Sequence, residues 1–158
     1  MDYEKIKFDI SFITQYWNNP PSATIYIDNV ELFNGKISTS GTISFYHELV
    51  FGPHQLSIRR TGKTNDEVKL HEDGTWADQL LILDQIKIDG IDIKNIVESK
   101  SWNEPVYPEP WASEQSAQGQ ILEEKIIAET HFGHNGTWRL NFSSPFYQFL
   151  YNAMDNQI

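Results

Sequence analysis

The sequence predicts an all-β chain folded as a two-sheet antiparallel β-sandwich, jelly-roll-like, with a short C-terminal helix. Three observations predict it: apolar and polar residues alternate over much of the chain, Asn-Gly and Asp-Gly pairs punctuate the alternating segments, and one C-terminal stretch repeats at helical spacing. The 158 residues, 39% of them apolar, suit a single domain spanning 1–158 around one core.

Ile6, Phe8, Ile10 and Phe12 alternate with Lys7, Asp9 and Ser11, the period of a strand with one buried face. Ile25 and Ile27, then Val30 and Leu32, continue that pattern across Asp28-Asn29, and Asn34-Gly35 between extended segments reads as a hairpin turn. Ile43, Phe45 and Leu49 predict a further strand, and Gly52-Pro53 turns the chain into the alternating stretch around Leu56 and Ile58. From 61 to 78 the periodicity disappears and Gly62, Asn65, Asp66, Glu67, Glu72, Asp73, Gly74 and Asp78 accumulate, the composition of a long loop. Leu81, Leu83, Ile86 and Ile88, then Asp89-Gly90, then Ile91, Ile93 and Ile96 predict another hairpin.

The segment 101–118 carries Trp102, Pro105, Tyr107, Pro108, Pro110 and Trp111. Its prolines lack the donor an inner strand needs, so the expectation is an extended proline and aromatic arm on a surface or an edge. Ile121-Leu122 and Ile126-Ile127 fit a short strand or a helical turn, with strand the expectation, and Trp138, Leu140 and Phe142 share one face of a strand opened by Asn135-Gly136. Over 144–154, Phe146, Phe149, Leu150, Ala153 and Met154 recur at helical spacing, with Ser144 placed to cap and Pro145 at the first helical position.

The absence of cysteine excludes a disulfide scaffold, a thiolate zinc site and a cysteine nucleophile. With 12 Lys+Arg against 22 Asp+Glu the net charge is −10, which repels phosphate backbones and anionic headgroups; neither a nucleic acid nor a membrane is expected as partner. No apolar run approaches the roughly 18 residues of a membrane span, and the Met1-Asp2-Tyr3-Glu4 start lacks the basic character of a signal peptide.

Catalytic motifs do not assemble. Thr61-Gly62-Lys63-Thr64 ends like a phosphate loop, but Ser57 stands where the first glycine belongs and no helical pattern follows. Neither a Gly-x-Ser-x-Gly elbow nor a Ser-x-x-Lys pair is present. His131 and His134 flank Gly133 outside any His-Glu-x-x-His helix and read as solvated turn residues. The expectation is a protein that is not an enzyme.

Two constellations point to binding instead. The loop residues Asn65, Asp66, Glu67, Asp73 and Asp78 offer hard oxygens of the kind calcium takes, about six to eight at once, which makes Asp66, Asp73 and Asp78 the metal-ligand candidates. The plainer alternative is a solvated loop, since the spacing matches no EF-hand. The second constellation is Trp76, Trp102, Tyr107 and Trp111, whose flat rings suit stacking on a sugar or docking into a neighbouring subunit; the alternative is that some of them cap the core.

The segments Ile25-Tyr26-Ile27-Asp28-Asn29, His54-Gln55-Leu56-Ser57-Ile58 and Thr61-Gly62-Lys63-Thr64-Asn65-Asp66 together resemble the calcium-dependent, xylan-binding type of carbohydrate-binding module, over roughly residues 24 to 100. That resemblance implies a jelly-roll sandwich whose loops hold calcium in direct contact with sugar hydroxyls. The stretch from Trp102 to Glu114, with Asn135 to Phe142, resembles modules carried by tailed bacteriophages as virion or tail-associated proteins. The reading that follows is a non-enzymatic structural or surface-binding component of a bacteriophage particle, a capsid decoration or tail-associated part, assembled in the host cytoplasm and located in the virion. Its partners are other virion subunits or itself, met through the exposed aromatics. The alternative is a free-standing calcium-dependent carbohydrate-binding module in which Trp76, Trp102 and Trp111 stack on sugar.

Overall fold

A computed structural model describes residues 2–155. Two antiparallel sheets pack face to face. The first is ordered β12-β8-β1-β4, formed by His131–Phe132, Leu80–Ile88, Tyr3–Gln15 and Gly41–Val50, with β9 (Ile91–Asp92) also pairing β8. The second runs β11-β10-β13-β5-β2-β3, formed by Ile126–Ile127, Trp102–Val106, Asn135–Ser144, Gly52–Thr61, Ser22–Ile27 and Val30–Lys36. A two-stranded hairpin, β6 (Lys69–Leu70) with β7 (Trp76–Ala77), stands apart in the long loop.

The expected β-sandwich is therefore what the chain forms, and the alternating residues are what fill it. Ile6, Phe8, Ile10 and Phe12 of β1 are buried, as are Ile25 and Ile27 of β2, Leu56 and Ile58 of β5, and Trp138, Leu140 and Phe142 of β13. The sheets meet through contacts such as Phe8 with Phe142, ring centroids 6.2 Å apart in an edge-to-face arrangement.

Helix α3 (Phe146–Asp155) closes the sandwich, burying Phe146 and Ala153 with Phe149 and Leu150 packed on the core. Its capping differs from expectation. The Phe146 N–H donates to Glu4 Oε1 at 2.7 Å, so a carboxylate from β1 satisfies the helix start, while the buried Ser144 Oγ finds no partner among the described residues. A carboxylate also complements the positive end of the helix better than a hydroxyl does.

Five further expectations are corrected. The β2–β3 turn falls at Asp28-Asn29, where Asp28 takes φ 55°, and Asn34-Gly35 lies within β3, paired with Thr24 and Ala23. Asp28 wins because its carboxylate is held by β5: Oδ1 accepts the Gln55 N–H at 3.0 Å and Oδ2 lies 2.8 Å from His54 Nδ1. The Asp89-Gly90 turn forms as expected, both residues at positive φ, but the returning strand stops at Asp92. The chain then winds into α1 (Lys94–Lys100), because Ile93, Ile96 and Val97 bury one face at helical spacing.

The third and fourth corrections concern 101–118. This segment is not an extended arm: β10 is hydrogen-bonded into the sheet between β13 and β11. The prolines permit this because β11 pairs only Trp102 and Asn103, leaving Pro105 on an open edge. On its other side Pro105 faces Gly136, where a Cβ would lie 2.6 Å from Glu104 O, so the close approach of β10 to β13 needs glycine there. Residues Trp111–Ala117 form helix α2, entered through Pro108 and Pro110, where a missing N–H leaves no bond unmade. The Ser113 Oγ donates to Glu109 Oε2 at 2.6 Å at that end. Of the expected strand at 121–127, only Ile126–Ile127 is extended. Among the described residues no helix is long and apolar enough to cross a membrane.

Candidate functional site

The loop that follows β5 is irregular in backbone yet anchored at both ends by buried polar groups. Arg60, buried at the end of β5, donates through Nη1 to Asn135 Oδ1 at 2.8 Å and through Nη2 to Gln79 O at 2.7 Å. Asn135 in turn clasps the Lys63 backbone from both sides: Lys63 N–H donates to its Oδ1 and its Nδ2 donates to Lys63 O, each at 3.0 Å. Gln79 Nε2 reaches Asn19 O at 2.8 Å. Farther along, on a 3-10 turn at Asn65–Glu67, the buried Glu67 carboxylate accepts from Asn19 N, Asn19 Nδ2 and Asn18 Nδ2. Hydrogen bonds from Asn19, followed by those from Asn18 and the charge of Arg60, hold that carboxyl below the usual carboxylate range. Burial brings the Arg60 guanidinium down to about 10, with Asp78 and Glu67 opposing the change.

This anchored loop forms one wall of a cleft of about 610 Å³; the segment from Val106 to Trp111 forms the other, and His134 and Asn135 form its base. The two constellations kept from the sequence thus meet, though not with all their members. Trp111, 37% exposed, lines the cleft. Tyr107 packs beside it, ring centroids 6.1 Å apart, and its hydroxyl donates to Glu123 O at 2.6 Å. His134 completes the cluster, 5.1 Å from Tyr107 and 5.4 Å from Trp111 between centroids. Burial lowers the His134 pKa, and the charges of Lys63 and Arg60 add to the effect against Asp78.

Trp76 and Trp102 stand elsewhere. Trp76 is 69% exposed on the β6–β7 hairpin. Trp102 is half-buried; its indole donates to Glu104 Oε2 at 3.0 Å, and Lys125 Nζ lies 4.4 Å from the ring centroid. One face of the ring is therefore met by the Lys125 ammonium.

The three aspartates do not converge either. Among the described residues no group of three or more His, Asp or Glu side chains is arranged to hold a metal ion. Asp78 pairs with Lys63 Nζ at 2.8 Å, Asp73 Oδ1 accepts from Thr75 N and Oγ1 in a local turn, and Asp66 is exposed on the 3-10 turn. The residues present do not fit a calcium site built from Asp66, Asp73 and Asp78.

The sequence reading passed over Lys63, His134 and Asn135. Lys63 was visible only as part of a failed phosphate-loop match, and His134 beside Gly133 looked solvated, whereas the fold half-buries it under two aromatic rings.

The fold is similar to that of solved carbohydrate-binding modules. No protein-family model matches the sequence and no curated protein matches it, but solved structures do. One is vCBM60 in complex with galactobiose, 11% identical, matched over 87% of this chain and 97% of that one with a TM-score of 0.50. The selenomethionine form of vCBM60, from work linking two families of calcium-dependent carbohydrate-binding modules by circular permutation, is 10% identical over 85% of this chain and 89% of that one, TM-score 0.51. At such identities the likeness concerns the fold.

Proposed function

We propose that this chain is a non-catalytic carbohydrate-binding module whose sugar lies in the cleft between residues 63–68 and 106–111. The observation that carries the reading is Trp111 on one wall of an anchored cleft whose facing wall presents Lys63, Thr64 and Asn65. A pyranose has an apolar face that stacks on an indole and a rim of hydroxyls that needs donors and acceptors, and this arrangement offers both. The cleft volume lies within the range of about 300–1,000 Å³ for small-ligand sites. Support for the sugar class comes from the fold shared with vCBM60, a protein seen with galactobiose.

Titration calorimetry with galactobiose and with xylan-type oligosaccharides tests the reading. Binding to at least one of them is expected, and Trp111→Ala is expected to weaken it about tenfold or more while changing stability by no more than about 0.5 kcal/mol. Silence toward both, and toward a broad glycan array, defeats the reading.

A second reading, a component of a virus particle, draws on the outer face of α3, where Tyr147, Tyr151 and Met154 are 58%, 63% and 61% exposed at helical spacing. Its test is analytical ultracentrifugation: concentration-dependent association lost in Tyr147→Ser/Tyr151→Ser supports assembly, and a monomer at every concentration opposes self-assembly.

A further inference from the structure

The cleft contains a fixed cation of its own. Lys63 Nζ lies 2.5 Å from Gly133 O and 2.8 Å from Asp78 Oδ1, and its side chain is only 13% exposed. Both ends of the residue are held, the backbone by the paired bonds to Asn135 and the ammonium by its two oxygens. An ammonium has three protons, and two acceptors leave one for a ligand oxygen. Beside it, Asp78 is already engaged by two cations: it pairs with Lys63, and with Glu67 its field reaches Arg60; Glu109 is the acid on the opposite wall. A divalent ion placed beside Asp78 would meet these two resident positive charges and would have to displace Lys63 from that carboxylate.

We propose that Lys63 supplies the positive charge that contacts ligand hydroxyls in this cleft, and that ligand binding there requires no metal ion. The inference rests on the carbohydrate reading for its ligand and departs from the calcium dependence expected from sequence. A lysine in this role contributes a charge-assisted hydrogen bond, stronger than a neutral one, from a group whose position is set when the chain folds.

Three measurements test it, all on the intact chain. Calorimetric titration with calcium chloride after EDTA treatment is expected to show no binding; heat with a dissociation constant below about 1 mM, the weak end for protein calcium sites, overturns the inference. Galactobiose isotherms are expected to coincide in EDTA and in calcium, and loss of binding in EDTA overturns the inference while leaving the carbohydrate reading intact. Lys63→Met is expected to weaken galactobiose about tenfold or more, with Lys63→Arg recovering part of the loss; unchanged affinity in Lys63→Met overturns the role given to Lys63. Circular dichroism establishes that the variants fold. If Lys63→Met does not fold, Lys63→Gln takes its place: a similar weakening is expected there, and unchanged affinity overturns the role given to Lys63. Silence toward all sugars in both buffers defeats the carbohydrate reading and the ligand role of Lys63 together, and the calcium titration still decides the metal question.

Discussion

The sandwich interior and the loop wall of the cleft are both ordered, but by opposite means. Between the sheets, Trp138, Phe8 and the isoleucines of β1, β2 and β8 exclude water through apolar contact, which is additive and insensitive to direction. In the loop, Arg60, Asn135, Gln79 and Glu67 do the same work through hydrogen bonds, each dependent on the others' placement. The lesson is that a loop without regular backbone can still be tied down by buried polar groups, here with Arg60 Nε and Gln79 Oε1 the atoms left unpaired among the described residues.

The largest effect that would sharpen this contrast is on the apolar side. Trp138→Ala removes a fully buried indole and is expected to cost about 3–5 kcal/mol in urea unfolding, with loss of the cooperative transition as the extreme outcome. Next comes Asn135→Ala, which leaves Arg60 Nη1 and both Lys63 backbone groups without a partner, Arg60 keeping its bond to Gln79 O. The expected cost is about 1–3 kcal/mol, accompanied by faster hydrogen exchange confined to residues 61–68. Exchange that rises equally in β13 and β5 would break the comparison, since the loop would then have no rigidity separate from the sheet.

The smallest effect is a dependence on pH at the other end of the second sheet. Burial lowers the His54 pKa, and the bonds from its ring to Asp28 Oδ2 and Val50 O outweigh that, placing it above its ordinary 6.5. Both neighbours are acceptors, so the protonated ring satisfies both. The stabilisation is therefore complete below pH 6.5 and is lost as pH rises through the raised folded value. Melting temperatures measured across that interval should fall more for the unaltered chain than for Asp28→Asn, and parallel profiles would count against it.

What the sequence made legible follows the same division. Period-2 alternation announced β1, β5, β8 and β13 because each has one face on the core, and helical spacing announced α3 for the same reason. Turn chemistry was less decisive: Asn34-Gly35 is a good local turn, but Asp28 gains two bonds from β5 that no local pattern displays. The proline segment was misjudged because the partner that tolerates Pro105 is Gly136, 31 positions away. At the site, Trp111 and Tyr107 were legible as exposed aromatics on a stiff segment. Lys63, His134 and Asn135 were not, since their importance lies in contacts between distant stretches of chain. In the acidic loop, composition suggested a shared metal, and the structure gives Asp73 and Asp78 separate partners and leaves Asp66 exposed.

The clasp that Asn135 places on the Lys63 backbone has a thermodynamic consequence. A recognition loop that is floppy when empty must surrender its freedom each time a guest arrives, and affinity suffers accordingly. Here that surrender is made once, at synthesis, so the heat of docking should report chiefly on the exchange of water for hydroxyl groups.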